Sequence, residues 1–190
     1  MGKVIERGFS VTKLSTSAQV VHDLGLAVCF GGTLFGKVVF NPSVGTLASK
    51  PERGRFGGTT WNRFNVLNAA SFGAAVLGWL PSRHGSAGNG AVRRAPGLSR
   101  TKDVLMGVAA MTGLAALIVQ VALNSQAPQG AVPLETGGVP APEASDRAAL
   151  LQRLVSALGS ANVALFAGLI VATTALSEEG SHSTHVGTRG

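Results

Sequence analysis

Charged residues and cysteine are both scarce in this sequence. Only 13% of the 190 residues are Asp, Glu, Lys or Arg, about half of the roughly 25% found in soluble domains. The single cysteine, Cys29, excludes a disulfide within the chain. We find neither paired carboxylates nor a nucleophile beside a base, so the sequence predicts no enzymatic activity and no catalytic residue.

Apolar residues make up 45% of the chain and cluster in four blocks. Each block has about 20 residues, the length that crosses a bilayer core as a helix, and polar loops rich in Gly and Pro separate them. We therefore predict an all-α fold in which four transmembrane helices form an antiparallel membrane bundle. The transmembrane domain is expected over 18–176, with spans at about 18–40, 61–80, 102–124 and 149–176.

Polar segments surround these spans. The basic N-terminal segment 1–17 is expected to form an interfacial helix or a loose tail, and the tail 177–190 to be disordered. The proline-rich loop 125–148 is expected to be extended and mobile. Asn41-Pro42 and Pro81 are expected to end the first two spans, because proline disfavours helical backbone in the residue before it.

Trp61 and Trp79 favour a transmembrane second span. They lie 18 residues apart, which corresponds to a helical rise of roughly 27 Å, close to the thickness of the hydrocarbon core. Tryptophans at both ends are typical of the aromatic belts of spanning helices.

Small residues recur at helical spacing in every predicted span. In the first span they share a face with His22 and include a GxxxG motif, which lets a second helix approach closely. The predicted helix-packing residues are Gly25, Cys29, Gly32, Gly36, Ala109, Gly113, Ala161, Ala164 and Gly168.

The polar residues inside the spans are the functional candidates. His22 and Asp23 could move a proton or bind a ligand, since ionisable groups in membranes often have a function. Alternatively they are an anchor, with Asp23 paired to Arg100 or Lys102. Asn65 and Asn68 need hydrogen-bond partners inside the membrane. Lys37 lies near the end of its span and can extend to the interface.

Metal and haem sites have little support from the residues. His22 is the only histidine in any span, so haem with two histidine ligands would need a second chain. A copper site could use Cys29, Met106 and Met111, but Cys29 lies roughly 10 Å along the helix from His22. We predict no metal site and no cofactor.

The net charge of +7 lies mainly in the loops beside the spans. There it favours contact with anionic lipid over binding to nucleic acid. The predicted lipid-facing basic loop contains Arg83, Arg93, Arg94, Arg100 and Lys102. The side that holds both termini carries more Lys and Arg, so we expect cytoplasmic termini and, from an Arg-, Ala- and Gly-rich composition, a bacterial plasma membrane.

The start of the first span resembles a known family. His22-Asp23-Leu24-Gly25-Leu26-Ala27 followed by Phe30-Gly31-Gly32 is similar to an uncharacterised actinobacterial family of four-span membrane proteins. With Pro42, the same residues look more distantly like copper-resistance protein D-like membrane domains. The resemblance covers about residues 20–80 and implies a four-helix membrane fold.

Two functional hypotheses follow from the sequence. The first is a non-enzymatic accessory or scaffold subunit, which packs against other membrane subunits or a second copy through its small-residue faces. The alternative is a membrane protein that handles a small solute, protons or copper through His22 and Asp23.

Overall fold

Helices make up most of the chain in the computed structural model. The structure describes the backbone of residues 2–84, 92, 95–127 and 131–186, and side chains between 16 and 179 within these ranges, apart from 82 and 84. The elements are α1 (Gly2–Phe35), a π-helical turn (Gly36–Phe40), α2 (Asn41–Val44), α3 (Lys50–His84), α4 (Pro96–Asn124), β1 (Leu134–Thr136), β2 (Val139–Pro140) and α5 (Asp146–Val186).

Three of the described helical segments are long and apolar enough to cross a membrane: Thr16–Val44, Pro96–Asn124 and Asp146–Glu179. α3 does not meet the same criterion, because its middle carries polar residues such as Asn62, Arg63 and Asn65 among the apolar ones. The chain is therefore a mostly helical protein with three helices compatible with a multi-pass membrane protein.

Neither proline ends its helix where the sequence predicts. The first helix passes through a π-helical turn, in which the Asn41 N–H donates to the Gly36 carbonyl, and continues as α2. Pro42 then lies in the first turn of α2, where its missing N–H costs little. Pro81 lies inside α3, which continues to His84.

Glycines let α1 and α3 approach closely. A Cβ on Gly25 would collide with the backbone of Ser71 and Ala75, whereas one on Gly36 would collide with the Trp61 ring. The contacts run in opposite order along the two helices. The buried Cys29 lies between them, with its Sγ 3.6 Å from the Asn68 carbonyl oxygen.

A second packed layer is formed by α4 and α5. α5 also contacts α1, and the buried core between these helices includes Leu26, Met106, Phe166 and Leu169. By contrast, α3 and α4 touch only at a few positions. The two helices therefore leave a space between them.

The other predicted packing residues differ in their surroundings. Ala109 is buried, and a Cβ on Gly168 would contact Leu105, but Gly113 faces open space. Ala161 and Ala164 are exposed, so their helix-packing role stays a prediction. α5 instead turns a face of larger residues inward: Asn162, Phe166, Leu169 and Thr173 are buried.

Both polar segments after α4 are more ordered than predicted. Residues 131–141 contain an antiparallel pairing of β1 with β2. α5 continues through 177–186, which the sequence assigned to a disordered tail. Extending a formed helix is less costly than starting one. Residues 187–190 of that predicted tail lie outside the described residues.

The contact at Gly25 can be tested against a matched glycine on the same helix. We expect Gly25→Ala to destabilise the protein by roughly 1–3 kcal/mol, because the added methyl meets α3 backbone that cannot move alone. Gly31 faces open space, so Gly31→Ala should be neutral or stabilising by up to about 1 kcal/mol. Thermal unfolding in detergent measures both. Equal melting temperatures for the two variants would contradict the close α1–α3 contact.

Candidate ligand cavity

A cavity of about 550 Å³ lies between the helices where α3 and α4 diverge. At one end it meets the core through Phe72, Ala109 and Phe166. At the other end it meets the β1–β2 hairpin through Val132 and Leu134. Its volume is within the range of small-molecule sites in proteins.

The cavity opens sideways, through the cleft between α3 and α4. The residues of these two helices that line it include several with exposed side chains. These are Arg55, Thr59, Asn62 and Ala69 on α3, and Ala110, Leu114, Leu117 and Asn124 on α4. The exposed part of the lining therefore runs along the long side of the helix bundle and reaches the hairpin end at Arg55.

Amide side chains dominate the polar part of the lining. They come from α2, α3, α4 and α5, and are Asn41, Asn62, Asn65, Asn68, Gln120, Asn124, Gln152 and Asn162. Two cationic residues, Lys37 and Arg55, also line the cavity, and the described lining residues include no Asp or Glu. The charge of the described lining is therefore positive.

Lys37 is the most deeply placed of these charges. It lies in the π-helical turn, and its ammonium donates to the Ser156 carbonyl oxygen at 2.6 Å and to Ser156 Oγ at 3.0 Å. Within the described chain, Lys37 forms no ion pair with an acidic side chain. An ammonium group has three donors, so one remains available for a further acceptor.

Several lining amides have hydrogen-bonding capacity left. Asn162 Oδ1 accepts from Thr112 at 2.7 Å, which leaves the NH₂ group of Asn162 available. Asn68 Oδ1 is buried and has no hydrogen-bond partner. Buried polar atoms ordinarily have a hydrogen-bond partner, and a ligand in the cavity would supply one for Asn68.

The β1–β2 hairpin is docked on the bundle, which corrects the prediction of a mobile loop. Gly137 N–H donates to the Asn41 carbonyl oxygen at 2.8 Å, and Gln152 Nε2 donates to the Gly137 carbonyl oxygen at 3.1 Å. A Cβ on Gly137 would lie 2.6 Å from Asn41 Oδ1. That oxygen also accepts from Trp61 Nε1 at 3.0 Å. Asn41 thus connects the hairpin to α3.

Ion pairs hold the outer side of the hairpin. Lys50 Nζ lies 2.7 Å from Glu135 and 2.8 Å from Glu143, and Arg53 lies 3.5 Å from Glu135. Hydrogen bonds to both carboxylates raise the pKa of Lys50, and the hydrogen bond from Lys50 lowers the pKa of Glu143.

His22 lies outside the cavity lining, in the core contact between helices. Its ring nitrogens lie 2.6 Å from the Ala75 carbonyl oxygen and 3.4 Å from Thr173 Oγ1. Asp23 is exposed and accepts a hydrogen bond from Gln19 at 2.8 Å. The structure therefore places the two candidate residues in different environments.

Lys102 differs from its predicted place in a lipid-facing loop. It is 1% exposed, and its ammonium lies 3.9 Å from the centre of the Trp79 ring, a cation–π contact. The adjacent Asp103 accepts from Trp79 at 2.8 Å and from Arg83 at 2.7 Å. Lys102 therefore points into the bundle, and Arg83 forms an ion pair with Asp103. Arg100 is exposed, and Arg93 and Arg94 lie outside the described residues.

Of the predicted polar candidates, Asn65 and Asn68 line the cavity. Sequence analysis does not identify the polar residues of the other helices that line the same cavity. Lys37 was interpreted only as an interfacial lysine, and Gln152, Ser156 and Asn162 were not singled out. The available signal was an amide, Asn162, within a strongly apolar span. Among the described residues, no three His, Cys, Asp or Glu side chains are grouped as a metal site.

Comparisons of the chain with protein-family models, with curated proteins and with solved structures found no match.

The hairpin should respond to acid through Glu143. The pKa of Glu143 in the folded protein is lowered from its ordinary value of 4.5 by the hydrogen bond from Lys50. The pair therefore stabilises the fold at pH values above 4.5, and this stabilisation is lost as the pH falls through the lowered pKa. We expect Glu143→Gln to reduce the melting temperature at pH 7 and to match the wild type in acid. High salt should shrink the difference, because both groups are exposed.

Thermal unfolding in detergent between pH 7 and pH 3 measures this effect. Glu52→Gln is the matched control, because Glu52 is an exposed carboxylate on the same helix as Lys50 and forms no ion pair within the described chain. A difference between wild type and Glu143→Gln that stays constant across this range would contradict the assignment.

Proposed function

We propose that the protein is a four-span membrane protein that binds a small solute in the cavity between α3 and α4. In this proposal α3 is the fourth span, the helices form an antiparallel bundle, and both termini lie in the cytoplasm of a bacterium. The proposed site uses Lys37 and the surrounding amides in place of His22 and Asp23.

The assignment of α3 as a span is supported by the direction of its polar residues. Asn65 and Asn68 line the cavity, so they account for part of the helix's low hydropathy without being placed in lipid. Polar residues in spans ordinarily face a bundle interior or a cavity. The separation of Trp61 from Trp79 also fits one membrane thickness.

The observation that carries the solute-binding proposal is the Lys37 ammonium, which has no countercharge among the described residues and lies in an amide-lined cavity. A scaffold needs neither the volume nor the unpaired Asn68 oxygen. Buried polar groups without hydrogen-bond partners are costly, and a bound solute would supply those partners. The cavity therefore has the features of a ligand-binding site, which a protein that serves only for helix packing does not need.

Filling the cavity tests this function. Gly113 lines the cavity and a Cβ there would meet nothing within 4 Å, so Gly113→Leu should fold and occupy part of the space. Gly107 on the same helix also faces open space but does not line the cavity, so Gly107→Leu is the matched control.

Native mass spectrometry of protein extracted from its membrane provides the measurement. We expect a small molecule to stay bound to the wild type and to Gly107→Leu, and to be reduced by at least about tenfold in Gly113→Leu, since a loss of 1.4 kcal/mol gives that factor. A bound molecule retained equally by both variants, or absent from the wild type, would show that the proposal is wrong.

The accessory or scaffold subunit is the second candidate. It is supported by the exposure of Ala161 and Ala164, because exposed small residues on a spanning helix let a partner helix approach closely. This role needs no ligand in the cavity and is compatible with a cavity that does bind one.

A bulky substitution on this face tests the scaffold role. Ala164→Leu should release a membrane partner that copurifies with the wild type, whereas Ala27→Leu, at an exposed alanine of α1, should retain it. Quantitative mass spectrometry after pull-down from native membranes measures the difference. Equal recovery of every copurifying protein with both variants would count against the scaffold role at this face.

A further inference from the structure

We propose that the solute is an amphiphilic monocarboxylate that enters from the bilayer through the cleft between α3 and α4. Its carboxylate lies at Lys37, and its apolar part extends toward Phe72 and Phe166. This inference rests on the proposed function, because it names the chemical class of the solute that the cavity binds.

The charge of the lining selects an anion. The described lining residues contain Lys37 and Arg55 but no carboxylate. Lys37 is half-buried, and its hydrogen bonds within the described chain go to the neutral Ser156, whereas Arg55 is exposed. One enclosed positive charge matches one negative charge, and a carboxylate accepts hydrogen bonds from both an ammonium and amide groups.

The cavity holds its half-buried charge near the hairpin and ends at two aromatic rings. Near the hairpin, Lys37 lines it together with the apolar Val132 and Leu134. At the opposite end it is lined by Phe72 of α3 and Phe166 of α5, whose ring centres lie 5.9 Å apart. A solute that meets the charge at one end and the rings at the other carries a charged head and an apolar body.

The position of the opening fits the same class of solute. The hairpin docks at the end of the cavity near Lys37, held by Asn41 and Gln152, while the cleft between α3 and α4 is lined by exposed Leu114 and Leu117. If α3 and α4 both span the membrane, this cleft faces lipid. A molecule that enters there must partition into the bilayer, as amphiphiles do.

Three brominated probes with the same chain test the charge preference. They are 2-bromodecanoate, 2-bromodecanol and (2-bromodecyl)trimethylammonium, added to protein in lipid nanodiscs. Bromine quenches tryptophan at contact, and Trp61 lines the cavity near the hairpin end. Subtracting the quenching of Trp61→Phe isolates this tryptophan from Trp79.

We expect saturable quenching with an affinity for the carboxylate at least about tenfold above that for the alcohol, and weakest for the ammonium compound. Moving bromine to the far end of the decanoate chain should reduce quenching, because that end lies toward Phe72 and Phe166. Lys37→Met should lower the affinity for the carboxylate to that for the alcohol and leave the alcohol unchanged, and Lys37→Arg should preserve the preference.

Equal affinities for acid and alcohol, equal loss of both in Lys37→Met, or no saturable quenching by any probe would overturn the inference. If Lys37→Met does not fold, the order of the three probes on the wild type decides the matter alone. Release of a copurifying membrane protein by Gly113→Leu would instead identify the cleft as a helix-docking surface and also overturn it.

The two proposals fail in different ways. A native bound molecule that Gly113→Leu removes, together with no preference for the acid probe, would leave solute binding standing and reject the carboxylate. Both proposals would be rejected if Gly113→Leu removed no bound molecule from the native protein and also did not weaken binding of the brominated probes.

Discussion

The close approach of α1 to α3 is the constraint on which the other features depend. Gly25, Gly32 and Gly36 leave room for the backbone or aromatic rings of α3, and dispersion contacts of this kind drive helix association where no hydrophobic effect acts. Because α3 is held against α1, it touches α4 only at a few positions. The cavity is the direct result of that arrangement, and Asn41 and the hairpin close one of its ends.

An enclosed ammonium without a described countercharge is the main electrostatic feature of the molecule. Lys37 donates two hydrogen bonds to a single serine, Ser156, which orient the ammonium without neutralising its charge. A charge in a low-dielectric environment is costly unless it is paired. At the opposite end of the bundle Asp103 pairs with Arg83, whereas the buried Lys102 also has no described ion pair and stacks on Trp79. Lys37, unlike Lys102, lines the cavity, which is why we place the proposed binding site there.

His22 illustrates how an ionisable residue can serve helix packing. Its ring is buried between the Ala75 carbonyl and Thr173, and a Cβ on Gly78 would collide with its backbone N and its Cβ. Asp23, one residue later, is turned outward, as expected from the rotation of about 100° between helical neighbours. The geometry favours the anchor hypothesis for His22 over a shared proton-handling unit, although Asp23 forms no ion pair with Arg100 or Lys102 among the described residues.

The sequence by itself determined the features that depend on local pattern: the helical character, the apolar segments around 18–40, 102–124 and 149–176, and Asn65 and Asn68 as polar residues that need partners. Hydropathy and helical spacing carry that information along the chain. Only the tertiary structure decided that helices continue past Pro42 and Pro81, that 131–141 docks as a hairpin, and that Lys37, Asn162 and Gln152 line one cavity. The docked hairpin and the cavity depend on contacts between residues far apart in the chain, such as Asn41 with Gly137 and Lys37 with Ser156. No local pattern records which distant helix face will supply the partner.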